Sequence, residues 1–146
     1  MTTKGFAAKR AVHGMLVANQ ASFGDVQIDY AAPGQFPVEC VYLGGMNFEH
    51  EPKVAEGVGL AVSEVANVSV YVRVVARPGE VVDTDQRAED IGAVVARVLR
   101  ANAHAGGFSS IEIAGGIGDY HRSDDEAVTT LAYRFRCVSF LSYEVA

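Results

Sequence analysis

Two stretches of the chain place apolar residues at helical spacing. In the first, from Thr3 to about Gln20, one stripe is formed by Ala8, Val12, Met15 and Leu16. In the second, which opens at Asp83, the stripe is formed by Ala88, Ile91, Val94, Val95, Val98 and Leu99. Each stripe predicts an amphipathic helix with one buried face. Asp83 or Thr84 is predicted to cap the second helix.

Other stretches alternate apolar and polar residues, as strands do. The clearest runs from Val65 to Val75, where one face is formed by Val68, Val70, Val72 and Val74. Ser69, Tyr71 and Arg73 face the other way. The same reasoning predicts strands at about 26–30, 38–43, 108–114 and 128–145. Because the turn residues Pro33 and Gly34 lie between the first two strands, we interpret that pair as a hairpin.

The order of these elements is helix, two strands, strand, helix, two strands, which predicts an α+β fold. Most consecutive strands can pair as antiparallel hairpins, so we expect a mostly antiparallel sheet of four to five strands. The two amphipathic helices would bury their stripes by packing on one face of that sheet. A length of 146 residues is typical of one domain, and we expect a single domain over 1–146.

Two segments show no clear period and are predicted to be loops. The first, at about 44–64, contains Gly44, Gly45 and the charged group Glu49, His50 and Glu51. The second is AGGIGDYHRSDDE at 114–126, which we interpret as a flexible hairpin tip. Long loops in small domains are usually functional surfaces.

Composition excludes several classes of protein. The chain is 49% hydrophobic and 21% charged, which favours a folded protein, and its net charge of -6 argues against general nucleic-acid binding. Cys40 and Cys137 lie far apart in apolar runs without metal-ligand spacing, so we expect buried, reduced thiols, with one disulfide as the alternative. No apolar run is long enough for a membrane span, and the N-terminus lacks the features of a signal peptide.

The sequence offers no convincing catalytic or metal-binding motif. The glycines at 115–118 follow a predicted strand, but a polar loop follows them instead of the helix N-terminus that a phosphate site needs. His50 and His121 have acidic neighbours without the spacing of metal ligands. The serines lack a nucleophile elbow. We therefore predict no catalytic, cofactor-binding or metal-binding residues and do not expect an enzyme.

Arginines on the predicted strands need a separate interpretation. Arg73, Arg134 and Arg136 are predicted to lie on the sheet face opposite the core. They are either ordinary solvated strand residues or a docking surface for acidic residues of another subunit. Tyr71 and Tyr143 would add aromatic residues of the kind that interfaces favour.

The element order and several local features resemble the tail terminator proteins of long-tailed bacteriophages, in particular those of actinobacterial phages. The resemblance covers nearly the whole chain. It rests on AAKRAVH at 7–13, VQIDYAAP at 26–33, ECVYLG at 39–44, VSVYVRVV at 68–75 and a helix that contains AEDI at 88–91.

This resemblance implies a structural role in the virion. Tail terminators form hexameric rings on the last ring of tail tube protein, stop tube polymerisation and present a surface to head-completion or connector proteins. DNA passes through the ring without specific binding, and no cofactor or membrane is involved. The implied location is the neck end of the virion tail, after assembly in the host cytoplasm.

Under this interpretation, charged residues of the sheet and of the two predicted loops are candidates for subunit and ring contacts. The candidates are Arg73, Arg134, Arg136, Tyr71, Glu49, His50, Glu51, Asp119, His121, Arg122 and Asp124. One alternative is a head–tail connector, a head-completion protein or a tube-like subunit. Another is a small enzyme or ligand-binding domain that uses His121 with Asp119 or Asp124.

Overall fold

The structure, a computed structural model, describes residues 5–54 and 60–142. Three strands follow the first of two α-helices and two strands follow the second, with one short 3-10 helix at Gln20–Ser22. The elements are α1 Gly5–Ala18, β1 Gln27–Asp29, β2 Glu39–Val54, β3 Leu60–Ala76, α2 Val81–Asn102, β4 Ser110–Arg122 and β5 Ala127–Ser142.

The strands form one mixed sheet in the order β1-β2-β3-β5-β4. Pairs β2–β3, β3–β5 and β4–β5 are antiparallel. The predicted α+β class, with a mostly antiparallel sheet and two helices, is confirmed. The predicted hairpin of the first two strands is wrong, because β1 pairs with β2 in parallel, with Gln27 opposite Cys40. Pro33 and Pro37 lie in the connection between β1 and β2. Because the two strands are parallel, this connection is a crossover that returns the chain to the end where β1 begins, and it is not a tight turn.

Both helices pack against the sheet and against each other around one hydrophobic core. The predicted inward face of β3 is confirmed, since Val68, Val70 and Val72 are fully buried. From the helices, Leu16 and Leu99 are equally buried in the same core. Burying each such side chain contributes about 1.5–3 kcal/mol to folding.

The predicted loop at 44–64 is wrong wherever the structure describes it. Residues 44–54 continue β2 and residues 60–64 belong to β3, while residues 55–59 lie outside the described residues. The register of β2 on β3 shifts between Leu43 and Met46, which identifies the Gly44–Gly45 pair as a bulge. The sequence did not predict this strand because its side chains are largely polar and show no apolar alternation. The strand is held by hydrogen bonds between backbone groups, which the hydrophobic pattern does not reveal.

The predicted hairpin tip is also too long. Strand β4 continues to Arg122, and the turn is confined to Ser123–Glu126, where the amide of Ser123 donates to the carbonyl of Glu126 over 3.0 Å. The glycines therefore lie in a strand. At Gly116 a Cβ would stand 2.8 Å from the carbonyl oxygen of Ala132 on β5, so close strand packing explains this glycine better than loop flexibility.

The predicted cap of the second helix is wrong as well. α2 begins at Val81, its N-cap is Glu80 without a side-chain cap bond, and the amides of Asp83 and Thr84 donate to the Glu80 carbonyl. Thr84 is buried inside the first turn, where its hydroxyl lies 2.8 Å from that of Thr129. The first helix ends at Ala18, and its predicted start at Thr3 lies outside the described residues.

Candidate assembly surface

One face of the sheet is not covered by α1 or α2, and we call it the open face. Cross-strand register aligns its side chains in levels, one of which runs through Tyr42, Tyr71, Ala132 and Ile117. The level below it is formed by Cys40, Arg73, Thr130 and Asp119, and the levels above it include Ser69 with Arg134 and Asn67 with Arg136. The face is therefore polar and aromatic, as the strand alternation predicted.

The three predicted arginines all lie on the open face. Arg134 and Arg136 are neighbours along β5, and the Tyr71 level separates them from Arg73. The Arg136 Nη2 atom lies 3.8 Å from the Glu51 Oε1 atom, and both side chains are about half exposed. Arg73 instead stacks over the ring of Phe36, 4.3 Å from its centroid. Their common face agrees with the docking interpretation, while the docking role itself stays a prediction.

Aromatic rings form a second feature of this face. Of the two tyrosines that the sequence predicted for an interface, Tyr71 lies here and Tyr143 lies outside the described residues. Tyr42 stacks on Tyr71 with ring centroids 5.0 Å apart, and Phe36 packs on Tyr42 at 5.5 Å. A Cβ at Gly44 would overlap the Tyr71 ring, so this glycine makes room for it. Burial raises the pKa of Tyr42. The alternation of Tyr42 with Val41 and Leu43 could have assigned Tyr42 to the open face. Phe36 lies in an irregular segment, where no periodic pattern predicts the position of a side chain.

The group Glu49, His50 and Glu51 is divided between the two faces because it belongs to a strand. Glu49 aligns with Val65 and Glu51 with Ser63, which places both glutamates on the open face. The His50 Nε2 atom lies 2.8 Å from the Glu64 Oε2 atom on the opposite side, and Glu64 is fully buried. His50 therefore supports the fold and is not part of the open face.

The charged residues of the second predicted loop are divided in the same way. Asp119 and His121 lie on the open face, in register with Thr130 and Val128. Arg122 binds Glu80 at the start of α2 over 2.8 Å, and this hydrogen bond raises the pKa of the arginine. Asp124 lies in the exposed turn. An open depression of about 430 Å³ adjoins Asp119 and His121.

Both cysteines are buried and unpaired, as expected. Burial raises the pKa of Cys40 to about 11 and that of Cys137 to about 12, so both are neutral thiols at physiological pH. In the described ranges, no three histidine, cysteine, aspartate or glutamate side chains are grouped to hold a metal ion. Neither helix, over the residues described, is long and apolar enough to cross a membrane.

Comparison with known proteins supports the fold. No protein-family model matches this sequence, and no curated protein matches it. Among solved structures, a chain of the "Virion of native gene transfer agent (GTA) particle" is similar over 90% of this chain and 94% of that chain, with a TM-score of 0.54. The sequence identity is 18%, so the similarity concerns the fold.

Proposed function

We propose that this chain is a structural protein of a phage-like virion, and that its role is that of a tail terminator. The observation that carries the proposal is the fold shared with a chain of a gene transfer agent virion over 90% of the present chain. The fold similarity supports a virion structural protein, and the resemblance of the sequence to tail terminators supports the more specific role. Copies of the chain form a hexameric ring that caps the tail tube, ends its polymerisation and presents a surface to the head-completion or connector protein.

The open face supports a role in which one copy contacts other proteins. Arg134 is exposed there, and stacked aromatic rings lie beside it. Exposed charges of this kind contribute little to folding but provide specificity and fast association when a partner carries opposite charges. The role proposed is structural and not enzymatic, and DNA passes through the ring without specific contacts.

Electron microscopy of tubes assembled from the tail tube protein of the same virus tests the proposal. The purified chain is added, and we expect ring-shaped density at tube ends and no further elongation. Native mass spectrometry of the capped ends should give six copies. Density at another level of the tail axis would identify a connector instead, and a chain that never binds tube ends would refute the terminator role.

The arginines can be tested in the same assay. Arg134→Glu combined with Arg136→Glu should impair ring assembly and leave the thermal unfolding temperature unchanged, because both side chains are exposed. Lys9→Glu combined with Arg10→Glu on α1 is the matched control, with the same change in net charge on the other side of the sheet. Normal rings from the first variant would show that the arginines are only solvated.

A further inference from the structure

The sheet has two free edges on opposite sides of the molecule. β4 is the terminal strand, and over the described residues no strand pairs with its outer edge. On the other side, β1 covers β2 only from Cys40 to Tyr42, so the outer edge of β2 over 43–54 is also free in the described part. Exposed edges are ready templates for pairing with another chain, and monomeric proteins usually block them.

The two free edges bend at the same level. The register shift on β2 lies between Leu43 and Met46, and that on β4 lies between Ile113 and Gly115. Both are opposite the same pair on the inner strands, Ser69 and Arg134. Bulges bend the strand that contains them, so the two edges have their bends at the same height and can follow one another.

A shallow surface depression, which we call the slot, lies beside β4, on the side of the sheet that the helices cover. It has a volume of about 490 Å³ and is lined by Ala93, Ala96, Arg97, Arg100, Ala101 and Ile113. Its floor is apolar and its rim carries two arginines. Arg100 reaches Glu112 on β4 over 3.2 Å. The slot is therefore suited to an apolar side chain.

The free edge of β2 carries such a side chain. Phe48 is 46% exposed, and its register with Ala66 places it on the helix-covered side of the sheet. Ala66 aligns with Cys137 and Cys137 with Ile111, so Phe48 lies at the height of the slot but at the opposite edge.

We propose that the free edge of β2 in one copy pairs with the outer edge of β4 in a second copy, with Phe48 filling the slot. Rotation about an axis parallel to the strands leaves the direction of each strand unchanged. Because β2 and β4 run in opposite directions within one copy, the new pair is antiparallel. This contact is heterologous and closes into a ring. The inference rests on the ring function proposed above and assigns the contact between its copies.

Removing the aromatic anchor is the first test. Phe48→Ser should raise the concentration for half-maximal ring formation at least about tenfold, the effect of losing one buried anchor side chain in an interface. Phe6→Ser is the matched control, since Phe6 is 66% exposed and belongs to α1 and not to either edge strand. Circular dichroism and the unfolding temperature should match wild type for both variants, and sedimentation velocity measures assembly.

Blocking the slot is the second test. Ala93→Arg should prevent ring formation by occupying the slot, and Gln86→Arg, an exposed substitution on the same helix, should not. In a third arm, copies carrying Phe48→Cys with Ala93→Cys are treated with a short bismaleimide. A ladder of cross-linked oligomers is expected, whereas Phe6→Cys with Ala93→Cys should give none.

The outcomes separate this inference from the function. If wild type caps tubes and both Phe48→Ser and Ala93→Arg assemble normally, the edge pairing is overturned and the terminator role stands. If wild type neither assembles nor caps tubes, the terminator role fails, and absence of the Phe48–Ala93 cross-link at high concentration overturns the edge pairing too.

Discussion

The two faces of the central strands have the same backbone but different neighbours. On β3, Val68, Val70 and Val72 point to the helices and are fully buried, while Ser69, Tyr71 and Arg73 alternate with them on the open face. On β5, buried Phe135 is followed by exposed Arg136. Strand alternation thus separates two tasks, because one face stabilises the fold and the other is available for contact.

The two faces differ in how much their side chains contribute to the free energy of unfolding. Full burial of a valine or leucine side chain contributes about 1.5–3 kcal/mol, whereas an exposed ion pair contributes about 0–1 kcal/mol. Substitutions on the helix-covered face should therefore reduce stability. Substitutions of exposed residues on the open face should leave the free energy of unfolding nearly unchanged and act on assembly.

The largest effect is expected for Phe135→Ala. Phe135 is 1% exposed beneath the helices, and its loss leaves a cavity that should cost about 3–5 kcal/mol. Urea unfolding measures this cost. Ile117→Ala, a substitution at a 74% exposed residue of the open face, should change stability by about 0.5 kcal/mol or less. Equal losses in the two variants would contradict the division between the faces.

How far the sequence predicted this arrangement depends on the face. The valines of β3 and the stripe of α2 predicted the covered core, because burial imposes a regular period on apolar residues. The strand over 44–54 was not predicted, since Glu49, His50 and Glu51 have the composition of a loop. β4 was predicted to end early for a related reason, as its glycines permit close packing on β5 but carry no periodic signal.

The open face was predicted in part. Arg73, Arg134 and Arg136 could be assigned to it, because alternation fixes the face of a residue once the strand is recognised. The Tyr42–Tyr71 stack depends on the register of β2 on β3, which alternation within each strand does not supply. The slot beside β4 depends on which strand forms the edge of the sheet, and sequence order does not supply that, since β5 lies between β3 and β4.

The second-largest effect is expected for His50, near the end of β2. His50→Ala removes the partner of the buried Glu64 carboxylate and should cost about 1–3 kcal/mol, the penalty for weakening the hydrogen bonding of a buried polar group. Glu49→Ala, at the adjacent exposed position, should have almost no effect on unfolding. If both variants unfold like wild type, the His50–Glu64 contact does not stabilise the strand pair.

The third effect depends on pH and concerns Cys137 on the covered face. Burial raises the pKa of this thiol from 9.0 to about 12, so above pH 9 the unfolded chain loses a proton that the folded chain keeps. Stability from this group is complete below pH 9 and falls as the pH rises towards 12. Between pH 8 and pH 10, wild type should lose about 1 kcal/mol more than Cys137→Ala. Parallel pH profiles for the two proteins would exclude a buried neutral thiol.

The smallest effect compares neighbouring threonines that point to opposite faces. The Thr129 hydroxyl lies 2.8 Å from that of Thr84 and donates to an Asp85 carboxylate oxygen over 2.5 Å, which ties β5 to the first turn of α2. Thr129→Val should cost about 1 kcal/mol by removing these bonds. Thr130→Val makes the same chemical change on the open face and should leave unfolding unchanged. A cost at Thr130 that equals the cost at Thr129 would show that the open face also contributes to folding.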